Sequence, residues 1–251
     1  MILLAALLLL LAVPGESKAA ASHVASCQGV AFNVTSVGCT IASFSAGHAI
    51  AVGIYWSDTT GTLSSVTMST CTGTVTLYNN PTVASAGSVF AATGAAFDIS
   101  VGGSCTFTAN FSESITELKI LVHEVDGVQG GSVAGNLADA DIFRNTTCTD
   151  CIPDVAGQLS ITPSINGAYF FGFLGATVTA AISPGTGFTD GGADDNRGTA
   201  EYLIQTTAAP QPTTFSRTDT TGQRAIAMAL VLQPAAEGTV KPKGALLGVY
   251  P

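Results

Sequence analysis

Two carboxylates stand close together in the stretch HEVDGVQGG, which runs from His123 to Gly131. In an extended strand, Glu124 and Asp126 project from the same face, because successive side chains alternate. Such a pair could cleave a glycosidic bond, where one of two carboxyls protonates the leaving group. Glycines follow at once, however, so we expect the pair to mark the solvent-facing end of an ordinary strand.

The same stretch resembles the catalytic strand of laminarinase-like jelly-roll glycosidases, which carries Glu-x-Asp-x-x-Glu. That resemblance implies a nucleophile at Glu124 and a helper at Asp126. Gln129 stands where the pattern has its second Glu, and an amide cannot protonate a leaving group. We therefore predict that the chain is not an enzyme, with a glycoside hydrolase or lyase as the least favoured alternative.

A second concentration of oxygen ligands lies in the loop TDGGADDNRG. Its glycines allow the backbone to turn carbonyls inward, and calcium takes about six to eight oxygens in a flexible geometry. The spacing is not that of an EF-hand, so a solvated turn is the alternative. If a cofactor is bound at all, we expect calcium at Asp190, Asp194, Asp195 and Asn196.

No other stretch carries a complete catalytic pattern. The three histidines, His23, His48 and His123, have no ligand spacing, and the sequence has no G-x-S-x-G elbow, P-loop or dinucleotide fingerprint. The CTDC stretch at Cys148 and Cys151 could form a redox or zinc pair. Zinc takes four ligands, however, and no second pair accompanies this one.

Six cysteines follow an apolar leader, and an even count in a secreted chain indicates disulfides. We predict the local pairs Cys27 with Cys39, Cys71 with Cys105, and Cys148 with Cys151. Three Asn-x-Ser/Thr sequons would make the chain a glycoprotein in a host with the machinery. They lie at Asn33, Asn110 and Asn145.

The leader itself predicts secretion. Its apolar run from Ile2 to Val13 is shorter than the about 20 residues that span a bilayer, and Ala19 to Ala21 offers a cleavage site. We therefore assign residues 1–21 to a signal peptide and expect a secreted or cell-surface protein without a membrane span. The net charge of −9 argues against nucleic acid as a partner, since phosphate binding needs a basic footprint.

Apolar runs and period-two patterns recur between turn residues, whereas helix-period stretches are almost absent. We predict an all-β fold, a two-sheet antiparallel β-sandwich with jelly-roll-like order, over residues 22–234. Two long connections, residues 127–156 and 183–199, are expected to be loops. The predicted strands include VASCQGVAFNVT, CTIASF, HAIAVGIYW, AAFDISV, SCTFTANF, ELKILVHEV, GAYFFGFLGA and AIAMALVLQP.

The succession from AVGIYWSDTTGTLSSVTMSTCTGTVTLYN through ELKILVHEVDGV and GAYFFGFLGA to RAIAMALVLQP resembles largely uncharacterised secreted bacterial β-sandwich domains. The resemblance covers nearly all of the chain after the leader. It implies a jelly-roll-like fold and an extracellular or surface-associated setting. It implies no reaction and no catalytic residues.

The chain ends in a Pro- and Gly-punctuated linker and apolar tail over residues 235–251. An apolar segment can add a strand to an open sheet edge, so we expect self-association into a filament or surface array. The predicted function is structural or adhesive. A glycan-binding module, with or without calcium, is the alternative. The tail residues expected to make the contact are Ala245, Leu246, Leu247, Val249 and Tyr250.

Overall fold

The computed structural model describes residues 20–58, 60–78, 89–128, 133–142, 148–152, 159–176, 181–192, 198–217 and 224–234. These residues form β-strands joined by turns, so the all-β prediction is confirmed. The strands are β1 (Ser22–Phe44), β2 (Ala49–Ser57), β3 (Leu63–Ser69), β4 (Thr76–Tyr78), β5 (Val89–Ala96), β6 (Gly103–Asp126), β7 (Val133–Ile142), β8 (Cys148–Ile152), β9 (Ser160–Ile161), β10 (Ala168–Ala176), β11 (Ile182–Pro184), β12 (Thr189–Asp190), β13 (Gly198–Gln205), β14 (Gln211–Pro212), β15 (Phe215–Arg217) and β16 (Arg224–Leu232).

All pairing between these strands is antiparallel. One large sheet has the order β1-β6-β2-β5-β4, with β3 also paired to β6, and the other has the order β12-β13-β10-β16-β7. Two small sheets, β11-β15-β8 and β14-β9, complete the described structure. The antiparallel sandwich is therefore confirmed, whereas the jelly-roll order is not.

The two large sheets pack face to face through apolar side chains. Phe171 and Phe173 of β10 lie in one buried cluster with Ala51 and Tyr55 of β2. The opposite face of β2 is also covered, since Ile54 and its same-face neighbours lie in a second cluster. A strand buried on both faces requires a nearly continuous apolar run, and AIAVGIYW is one.

Strand β1 folds back on itself. Cys27 and Cys39, twelve positions apart, have Cα atoms 5.6 Å apart, whereas a straight strand of that length would separate them by about 40 Å. The bend lies near Asn33, which has a φ of 53°. A Cβ on Gly29 would stand 2.2 Å from the carbonyl oxygen of Gly38, so the two halves of β1 meet backbone to backbone.

Two of the predicted disulfides are formed. Cys27–Cys39 fastens the halves of β1, and Cys71–Cys105 ties the turn after β3 to β6. On a chain-entropy basis they contribute about 3 and 4 kcal/mol to stability. The third predicted pair, Cys148 with Cys151, involves side chains outside those that the structure describes.

Three sequence predictions about the strands were wrong. The expected loop over residues 127–156 contains β7 and β8, the expected loop over residues 183–199 contains β12, and AAFDISV begins where β5 is already ending. Strand β7 reads VAGNLADADI, and its Gly, Asn and Asp residues disfavour strands in isolation. Pairing with β16 overrides that local preference.

The ends of the chain lie largely outside the description, which leaves out residues 1–19 and 235–251. Ala21 is buried, and its N–H donates to the Gly167 carbonyl at 2.9 Å, so the residue before β1 packs against the turn before β10. The described residues include no helix able to cross a membrane.

Candidate functional site

The carboxylate pair of HEVDGVQGG lies at the end of β6, between two other strands. Glu124 is paired with Ala25 of β1 on one side and with Ile50 of β2 on the other. Its side chain is 0% exposed. The expectation of a solvent-facing strand end is therefore wrong for Glu124, because β1 and β2 enclose β6 to its last residues.

Glu124 binds the turn that connects β1 to β2. The Ser45 backbone N–H donates to Glu124 Oε1 at 2.8 Å, and His48 Nδ1 lies 2.7 Å from the same oxygen. Gly47, with a φ of 88°, supplies the left-handed residue that closes the turn. A buried carboxylate that accepts two hydrogen bonds thus fixes this turn on β6. Its other oxygen, Oε2, has no hydrogen-bond partner among the described groups.

Asp126 completes a short chain of polar groups. Its side chain is 54% exposed, and its Oδ1 lies 3.4 Å from His48 Nε2. The imidazole therefore stands between the two carboxylates. A retaining glycosidase needs the space between its carboxyls for the sugar, and here the His48 ring fills it.

The opposite face of β6 carries His123, which is fully buried. Its Nε2 lies 2.6 Å from the Gly191 carbonyl oxygen, and its Nδ1 lies 2.7 Å from the Tyr169 hydroxyl. A carbonyl can only accept, so Nε2 carries the proton, and the hydroxyl donates to Nδ1. Burial, together with the neighbouring His23, lowers the pKa of His123 to about 3. The ring is therefore neutral and held at both nitrogens.

His23 of β1 lies beside this ring. Its imidazole stacks on Tyr202 with centroids 4.5 Å apart and meets His123 edge-on at 4.9 Å. Desolvation lowers the pKa of His23, and the nearby Glu124 charge partly opposes that shift. All three histidines thus gather around the end of β6, although the sequence shows no ligand spacing between them. Antiparallel pairing brings them together from three separate strand ends.

The acidic loop begins beside the same histidine. The Gly191 carbonyl is directed at His123, and the Gly191 N–H donates to Ala200 O at 2.8 Å. Asp190 Oδ1 accepts from the Gly192 N–H at 2.9 Å. Within the described ranges no three His, Cys, Asp or Glu side chains are grouped to hold a metal. Calcium here stays a prediction, since Asp194, Asp195 and Asn196 lie outside the description.

The sequons differ in their surroundings. Asn33 is exposed at the bend of β1. The side-chain nitrogen of Asn110 lies 3.3 Å from each of three acceptors on Ser65, Thr67 and Thr108, all of which a glycan on that nitrogen would disturb. Asn145 lies outside the described residues.

Aromatic residues offer no stacking platform on β2. Tyr55 and Trp56 project from opposite faces of β2, and both are buried because β2 is covered on both faces. Trp56 donates from Nε1 to the Gly61 carbonyl at 3.1 Å and stacks on Phe90 with centroids 5.4 Å apart. The sole tryptophan is therefore a core residue.

Compared with known proteins, the chain matches no family model, no curated protein and no solved structure. The resemblance to secreted bacterial sandwich domains consequently stays a prediction.

Proposed function

We propose that the chain is a secreted structural or adhesive protein of a cell surface and that it has no catalytic role. The observation that carries the proposal is the use of the ionisable groups at the end of β6. Glu124 holds the turn before β2, and His123 joins β6 to Tyr169 of the facing sheet and to the acidic loop. These groups connect strands, which is the role expected of them in a scaffold.

The disulfides support an extracellular setting for this function. Such bonds persist in oxidising compartments and are rare in reducing ones. Cys27–Cys39 fastens the two halves of β1 to each other, and Cys71–Cys105 ties the turn after β3 to β6, with which β3 pairs. A protein exposed outside the cell benefits from such covalent ties, because they limit the unfolded chain.

The second part of the proposal is self-association through the C-terminal tail. The described chain ends at Pro234, which packs near Gly167 and next to the start of β1. From there the linker and tail have enough residues to reach a neighbouring molecule, at about 3.3 Å for each extended residue. The apolar run Gly244 to Tyr250 would add to a sheet of that neighbour, giving a head-to-tail array.

Deleting residues 239–251 tests this proposal. We expect the full chain to form polymers that electron microscopy detects, and the truncated protein to keep its β-sheet circular dichroism spectrum but to form no such polymers. A matched pair of variants refines the test: Leu246→Ser with Leu247→Ser should weaken assembly, whereas Val240→Ser in the linker should not. Polymers unchanged by the deletion would defeat the tail's role.

A further inference from the structure

The first half of β1 has one open edge. Residues from Ser22 to Phe32 pair with β6 on one side, and β1 is the terminal strand of its sheet. No described strand lies along the other side. Its backbone N–H and C=O groups on that side therefore have no ladder partners among the described residues and can receive another strand.

This edge has neither charge nor proline to protect it, although a register shift between His23 and Ala25 interrupts its pairing with β6. Natural edge strands carry charged residues or proline that prevent pairing with other chains. The whole of β1, SHVASCQGVAFNVTSVGCTIASF, contains no Asp, Glu, Lys, Arg or Pro. Four large apolar side chains are exposed among the described residues, and three of them lie on this strand. They are Val24, Val30 and Phe32, exposed by 45%, 42% and 57%, and the fourth is Val101 at 45%.

We propose that this edge pairs with the same edge of a second copy, β1 against β1 in antiparallel orientation about Gln28. This register sets Val24 opposite Phe32 of the partner subunit and Val30 opposite Ser26 of the partner subunit. An aromatic side chain opposite a β-branched one is a favourable cross-strand pair. The two-fold operation makes both such contacts at once, so the surface is self-complementary.

The net charge of the chain and the bend of β1 both favour a second copy of the chain at this edge. The chain has a net charge of −9, so two copies repel except where an uncharged surface lets them approach. The uncharged edge of β1 is such a surface. The bend near Asn33 limits the pairing to the first half of the strand. The result is a closed dimer whose sheets continue across the interface, a contact separate from the tail.

The test compares two lysine substitutions at matched exposure. In the full chain, Val30→Lys should weaken dimerisation by about tenfold or more, because it places two charges at the joined edges. Val101→Lys, which changes an equally exposed valine off β1, should leave dimerisation unchanged. Sedimentation over a concentration series measures the association, and Phe32→Lys provides a second edge variant should Val30→Lys fail to fold.

Hydrogen exchange identifies the surface. Between Ala25 and Phe32, the alternate β1 amides that face the open edge should exchange more slowly as protein concentration rises, and this protection should survive deletion of residues 239–251. Equal association of the Val30 and Val101 variants would overturn the proposal. The proposal would also be overturned if the β1 protection did not depend on protein concentration and disappeared when residues 239–251 were deleted. In that case the chain's own tail would occupy the edge.

Discussion

Among the carboxylates at the end of β6, Glu124 is the one whose substitution should affect the stability of the fold. It is a buried carboxylate with two donors on one oxygen, Ser45 N–H and His48 Nδ1. Removing this side chain leaves the part-buried Ser45 N–H and His48 Nδ1 groups without their acceptor, and it leaves a cavity where a fully buried side chain stood. The neighbouring Asp126 is half-exposed, so water can replace its contacts.

We expect Glu124→Ala to lower the free energy of unfolding by about 1–3 kcal/mol, measured by denaturant titration. Asp126→Asn, two residues away on the same face, should stay within about 0.5 kcal/mol of wild type. A Glu124→Gln variant that folds normally yet abolishes a polysaccharide-cleaving activity would contradict the structural role.

His123 yields a pH prediction with a definite sign. Its pKa is about 3 in the folded protein, mainly because of burial, against an ordinary value of 6.5. Between these values the unfolded chain binds the extra proton. The His123 contribution to stability is therefore complete above pH 6.5 and is lost as pH falls toward 3, by up to about 1.4 kcal/mol for each pH unit.

Nitrogen NMR can check the state of this ring directly. We expect His123 to show a protonated Nε2 and a bare Nδ1 at pH 7 and to keep that pattern at pH 5. Titration of the His123 signals with a midpoint near the ordinary histidine value would show that the ring is accessible and not locked between Tyr169 and Gly191.

At the scale of elements, the folding back of β1 depends on two glycines. The Cβ of a Gly29→Ala variant would meet the Gly38 carbonyl oxygen at 2.2 Å, whereas a Cβ on Gly38 would have its nearest atom at 3.0 Å. Gly29→Ala should therefore destabilise by about 1–3 kcal/mol, and by more than Gly38→Ala. Thermal unfolding of both variants measures the difference, and equal stability would argue against the contact.

The sequence predicted the buried strands better than their connections. HAIAVGIYW and GAYFFGFLGA form β2 and β10, because long apolar runs have few other options. VASCQGVAFNVT and CTIASF, predicted as separate strands, are two halves of β1, and nothing local distinguishes a bend from a break. Strand β5, VFAATGAA, was missed because Ala and Gly have low strand propensity and pack there only between sheets.

The grouping of the three histidines around the end of β6 could not be predicted from the sequence for a related reason. His23, His48 and His123 come from three strand ends, and only the register of β1 and β2 on β6 brings them together. Period-two alternation placed Glu124 and Asp126 on one face correctly. It did not show that β1 and β2 would enclose Glu124, because coverage of a face depends on distant strands.

In the molecule as a whole, two large sheets share a buried core, and two disulfides fasten the strands. The two proposed contacts differ in kind: the open edge of β1 would close a dimer, and the apolar tail would extend an array. Together they would build a surface layer from a chain whose net charge otherwise favours separation.

We propose that this protein acts by associating with itself. The sharpest test is multi-angle light scattering of the full chain, purified without reductant and measured over a concentration series. We expect a mass that rises with concentration from the single chain through dimers to larger species. A constant single-chain mass at every concentration would contradict it.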